Sequence, residues 1–166
     1  MWLTVIGIGN PWASDDGVGP KAIEQLEAAC IAGYPDSTTQ VAFITARHAD
    51  IGLLDVLASS ERVILVDALF SGAPPGTIYC EEWQPDLLNS RGIERASSHG
   101  MGVKELLELA AALGKLPGQV QLWGIEVEST EPGNVLSPKI GSALPVLIEQ
   151  LGRAVEDALY NLGRRV

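Results

Sequence analysis

The chain has 166 residues, with 21 Asp plus Glu against 11 Lys plus Arg and a formal net charge of −10 at pH 7. That length suits one domain, residues 1–166, with room for a full hydrophobic core. The acidic balance argues against nucleic acid and anionic membranes as partners, and no run of about 18 apolar residues is present to span a bilayer.

Residues 3–6, Leu-Thr-Val-Ile, are short, apolar and uncharged, the pattern of a strand buried on both faces in a parallel sheet. A chain that opens on a strand, without a basic leader or cleavage site, predicts no signal peptide. The strand runs into Gly7-Ile8-Gly9-Asn10-Pro11-Trp12-Ala13-Ser14-Asp15-Asp16-Gly17-Val18-Gly19-Pro20, and Ala22, Ile23, Leu26, Ala29 and Cys30 then recur at helical spacing until about Gly33. Residues 40–45 read as a second strand, and Asp50 as the N-cap of a helix over 51–57. Residues 62–68 are the clearest buried strand, running straight into Asp67.

Ser71 to Gly76 read as a turn, followed by a strand over 77–82 at or near a sheet edge. Residues 84–95 are polar and irregular, a candidate lid or substrate surface. Ser98 precedes an amphipathic helix over 101–113, its Leu106, Leu107, Leu109 and Leu113 assigned to the core and its end to Gly114. A last strand over 119–126, a Pro/Gly loop and a final helix over 138–162 complete the chain, and Pro145 predicts a kink or a late start in that helix. Strands alternating with helices predict a three-layer α/β/α domain with a mostly parallel sheet.

A glycine loop between strand and helix suggests a phosphate cradle. Here Trp12 stands where the dinucleotide fingerprint needs its third glycine, and no Lys-Ser or Lys-Thr pair completes a Walker loop. Asp15 and Asp16 at the helix entrance would repel a phosphate. One acid suffices to cap the helix, which leaves the other to bind a cation. Ligands of open parallel sheets lie beyond the carboxyl ends of the strands, and there Asp15, Asp16, Asp67 and His99 are expected to meet. Each has a plainer reading as well, Asp67 as a turn cap and His99 as a surface residue. His48, after the second strand, is a rival ligand.

A nucleophilic mechanism has little support. Ser97 and Ser98 adjoin His99 in sequence, which is not a catalytic arrangement, and no Gly-x-Ser-x-Gly elbow occurs. Cys30 and Cys80 read as free thiols of a reducing cytoplasm, Cys30 on an apolar helix face.

The pattern Gly-x-Gly-Asn-x-x-x-x-Asp-Asp-Gly-x-Gly, followed by Val63-Ile64-Leu65-Val66-Asp67-Ala68, Ser97-Ser98-His99-Gly100 and Trp123-Gly124-Ile125-Glu126, resembles the [NiFe]-hydrogenase maturation proteases. The resemblance follows the chain in order over nearly its whole length. It implies a five-stranded twisted sheet with helices on both faces, and it sets Asp16, Asp67 and His99 at the metal-ligand and catalytic positions. Relatives commonly carry Glu where Asp16 stands. Two carboxylates and an imidazole suit Ni(2+), Zn(2+) or another divalent ion. The sequence departs from the family at Thr45-Ala46-Arg47-His48, where many relatives have an acidic, glycine-rich stretch. Predicted substrate contacts are Gly9, Asn10, Trp12, Arg47 and His48.

The implied activity is an endopeptidase that removes the C-terminal extension of a [NiFe]-hydrogenase large-subunit precursor after nickel insertion. The nickel is supplied by the substrate and serves as its recognition element. The alternative is a non-catalytic, nickel-sensing assembly factor that binds the same precursor.

Overall fold

Every side chain of β1 (Leu3–Ile8) is buried, which places this strand inside the sheet rather than at its rim. In the computed structural model, which describes residues 2–33, 40–84, 94–95 and 102–163, β1 pairs in parallel with β2 (Val41–Ala46) on one side and β3 (Arg62–Phe70) on the other. The strand β4 (Ile78–Glu82) forms the far edge, and the two-residue β5 (Glu94–Arg95) pairs antiparallel with the end of β3. β6 (Gln119–Glu126) lies between β3 and β4, giving the order β2-β1-β3-β6-β4. Apart from β5, only β4 runs antiparallel to its neighbour among these described strands, and it is the edge strand predicted from sequence.

Alternation along the strands sorts the core into two layers. Leu3 and Val5 of β1, with Ile64, Val66 and Ala68 of β3, face α1 (Val18–Gly33) and the long α4 (Pro138–Gly163). Ile6, Ile8, Val63 and Leu65 face the opposite way, toward α2 (Leu54–Ala58) and α3 (Val103–Ala112). The α/β/α layering read from sequence is what the chain adopts. Asp67 shares the parity of Val63 and Leu65 and so belongs to the α2/α3 face.

Several boundaries differ from those read in the sequence. Gly7 and Ile8 continue the first strand, because Gly7 pairs with both Thr45 and Val66. The predicted helix over 51–57 is a 3-10 turn (Ile51–Leu53) leading into α2, with the Asp50 carboxylate accepting the Gly52 N–H at 2.8 Å as its cap. Leu113 is 55% exposed rather than core. The chain leaves the helix there, with Gly114 at φ +65° and the Lys115 and Gly114 N–H groups returning to Ala110 and Ala111. α4 does not start late at Pro145. It begins at Pro138, where the first turn needs no N–H, and continues through Pro145. Most of the segment 84–95, read as a lid or substrate surface, and the Ser97-Ser98-His99-Gly100 motif lie outside the described residues.

Candidate functional site

The order β2-β1-β3 reverses direction at β1, whose chain departs to β2 on one side and meets β3 on the other. Crevices open at the carboxyl ends of strands around such a switch point. β1 stops pairing with β3 at Val66, one residue short of Asp67, while β3 continues beside β6 to Leu69. Asp67 therefore sits at the point where the sheet opens.

The motif loop reaches this point by close backbone packing. Gly9 has φ +147°, and a Cβ there would stand 1.8 Å from the Asp16 carbonyl oxygen. A Cβ on Gly19 would stand 2.4 Å from the Ile8 oxygen and 2.9 Å from that of Val66. These glycines let a 3-10 turn (Ser14–Gly17) and the first turn of α1 lie directly on the ends of β1 and β3. Asp16, 4% exposed, accepts the Asn10 N–H at 2.7 Å through Oδ2. Asp67, 8% exposed, accepts the Ala68 N–H at 2.9 Å through Oδ1. Both predicted acids are thus buried and oriented at one opening, one on the turn and the other on the strand it packs against.

Asp15 has a different task. It is fully buried, and its carboxylate accepts three backbone N–H groups from across the chain: Glu128 at 3.1 Å, Ser129 at 3.0 Å and Ser137 at 2.6 Å. Ser14 N–H to Gly133 O, Gly133 N–H to Trp12 O and Ser14 hydroxyl to Glu131 O bind the same two segments further. Residues 127–137 form a strap locked onto the motif loop. Nothing in the sequence marks this role, because the partners are backbone groups more than a hundred residues away. Glu126, also buried, holds a second turn by accepting from Ser71 N–H and hydroxyl and from Gly72 N–H at 2.7 to 2.9 Å.

At the mouth, Gly9 N–H bonds to Ala46 O, which brings the end of β2 alongside the motif loop. Arg47 follows and donates to the Asn10 side-chain oxygen at 3.3 Å, while Trp12 N–H donates to that oxygen at 3.1 Å. Trp12 is 65% exposed, and Arg47 and His48 are exposed beside it. The predicted contacts Gly9, Asn10, Trp12 and Arg47 are therefore joined by bonds, Gly9 as backbone scaffold. His48 faces solvent, with no bond to that chain of contacts among the described residues. His99 lies outside the described residues, and no three metal-ligating side chains gather among those described.

The thiols stand apart from the opening. Cys30 lies in a groove of about 230 Å³ between α1 and α4, and burial followed by the nearby Glu156 charge pushes its pKa up. Cys80, on β4, is raised by burial and then by Glu81. Both shifts disfavour a thiolate nucleophile.

The chain matches other proteins along this whole framework. It is 29% identical over 161 residues to the hydrogenase 2 maturation protease of Escherichia coli (strain K12), covering 95% of this chain and 93% of that one. It is 30% identical over 148 residues to the hydrogenase expression/formation protein HupD of Thiocapsa roseopersicina, covering 89% of this chain and 64% of that longer relative. The fold superposes on the hydrogenase maturating endopeptidase HybD from E. coli with a TM-score of 0.76 at 26% identity, covering 95% and 94% of the two chains. Residues 21–154 match the family model described as hydrogenase maturation protease. With that match running from the first turn of α1 deep into α4, the chain belongs to the hydrogenase maturation protease family.

Proposed function

We propose that the protein is an endopeptidase that trims the C-terminal extension of a [NiFe]-hydrogenase large-subunit precursor in the cytoplasm, once nickel has been inserted. The observation that carries this reading is the pair of buried carboxylates, Asp16 and Asp67, at the switch-point opening of a chain in this family. Their donor chemistry fits a divalent ion. Asp16 and Asp67, with His99, would hold the nickel that the precursor brings, and that ion supplies a Lewis acid beside the scissile bond. The chain's own contribution is placement. The glycine packing fixes Asp16, the strand fixes Asp67, and Asn10 and Trp12 border the path of the substrate peptide. Orientation of this kind lowers the barrier by removing the entropy of encounter.

The test follows C-terminal cleavage of precursor prepared with and without nickel. Wild type should shorten only the loaded form. Asp16→Ala, Asp67→Ala and His99→Ala should each abolish processing, and His48→Ala should be milder. Equal cleavage of both precursors would remove nickel recognition from the account. A precursor that is bound but left uncut would identify an assembly factor in place of a protease.

A further inference from the structure

The described cations of this acidic chain are engaged in different ways. Lys104, Lys115 and Arg153 meet Glu108, Asp55 and Glu149, Lys139 meets Glu128 of the strap, and Arg62 at the start of β3 lies over the Trp2 ring. At the opening, Arg47 donates to the neutral Asn10 amide oxygen, and Lys21 donates to the Asn134 carbonyl at 2.7 Å. Neither meets a carboxylate among the described residues. In a chain of 21 acids, two ammonium or guanidinium groups kept on neutral oxygens retain charge for an outside partner.

Bonds connect these two cations into one rim. Arg47 is tied to Asn10, whose side-chain oxygen also takes the Trp12 N–H. The Trp12 carbonyl takes the Gly133 N–H, and Asn134 beside it holds Lys21. The same Asn10 gives its N–H to Asp16, so the rim adjoins the candidate catalytic acid directly. Its centre is the exposed indole of Trp12, held on a loop that the strap and the Asp15 carboxylate make rigid. A rigid exposed tryptophan flanked by unneutralised cations has the composition of a recognition patch, in which aromatic and arginine side chains dominate binding.

We propose that Arg47, Trp12 and Lys21 form a docking rim for an acidic stretch of the protein substrate, running beside the bond to be cut. The inference rests on the protease reading for the identity of the substrate and adds the chemical class of segment recognised. The overall charge of −10 points the other way, since it draws basic partners at long range. The rim is thus a local exception that selects by charge once the partner is near, because the Debye length is about 8 to 10 Å at physiological salt.

The test measures the affinity of the nickel-loaded large-subunit precursor for wild type, Arg47→Gln, Lys21→Gln, the double variant and Lys115→Gln, from 50 to 500 mM NaCl. Lys115→Gln removes the same charge from a paired site remote from the rim. Each rim variant should bind about threefold more weakly at 50 mM and the double variant about tenfold, the range for exposed charge pairs. These differences should fade at 500 mM, and Lys115→Gln should match wild type. Trp12→Ala should weaken binding at every salt concentration. Equal affinities, or tighter binding by Arg47→Gln as a basic partner would give, would overturn the rim. Cleavage by wild type with affinities indifferent to both cations would leave the protease reading standing and remove this inference. Salt-dependent binding without cleavage would do the reverse.

Discussion

Among the described residues, four buried carboxylates lie near one end of the sheet, and they fall into two pairs. Asp15 and Glu126 are engaged by backbone N–H groups of segments far away in sequence, Glu128, Ser129 and Ser137 for one and Ser71 and Gly72 for the other. Asp16 and Asp67 are oriented by N–H groups of their own neighbourhood, Asn10 and Ala68. Burial alone does not separate the pairs, since all four are at most 8% exposed. The direction of their bonds does. A carboxylate that gathers distant backbone groups is a fastener, whereas Asp16 and Asp67 each keep a bond to adjoining backbone where the sheet opens. Asp15 and Asp16 adjoin in sequence, so the two uses are divided within a single dipeptide.

Exchanging the members of that dipeptide for alanine should separate the uses most sharply. Asp15→Ala leaves three part-buried N–H groups without their acceptor, at about 1 to 3 kcal/mol each where water does not replace it. A loss of about 3 kcal/mol is expected, which lowers the thermal midpoint by about 10 °C at this chain length. Asp16→Ala should move the midpoint far less while abolishing cleavage. Calorimetry beside the processing assay checks both, and equal midpoints would dissolve the distinction.

Glu126→Gln gives a smaller effect on the same side of the comparison. One of the two acceptor oxygens survives, so about 1 kcal/mol should be lost. Processing by the folded fraction should persist, and its loss would move Glu126 into the crevice pair.

The smallest effect belongs to an exposed carboxylate, Asp55, whose pKa is lowered by its hydrogen bond to Lys115 and then by that charge. A depressed carboxylate pKa contributes stability that is present above the unfolded value, about 3.9, and is lost as pH falls through the folded one. Lys115→Ala should therefore lower the midpoint marginally at pH 7 and not at all once the pH has fallen through the lowered pKa of Asp55 and its carboxyl is protonated. A difference that persists in acid would assign the effect to packing of the lysine stem instead.

Local patterns made the scaffold readable. The unbroken apolar runs of β1 and β3 leave no face for water, and Gly114 supplies the left-handed turn that closes α3. Periodicity then overshot, counting Leu113 as a fourth core position although the helix has already turned away beneath it. Asp16 and Asp67 were legible because strand ends and helix entrances can be located from pattern, and the topology sets both at one opening. The division of labour between Asp15 and Asp16 was not legible, since backbone N–H groups carry no residue signature. Nor was Lys21, whose position on the rim depends on a strap 113 residues away.

That strap also orders events in time. The fastening of Asp15 joins it to Ser137, 122 residues later. Contacts so distant close late, after the entropy of a long loop has been overcome. A ribosome-bound chain that has emerged only through α3 carries the complete acidic motif with no strap to hold it. On the proposed reading, recognition by the rim and cleavage at the crevice would therefore become available together, when the last third of the polypeptide arrives.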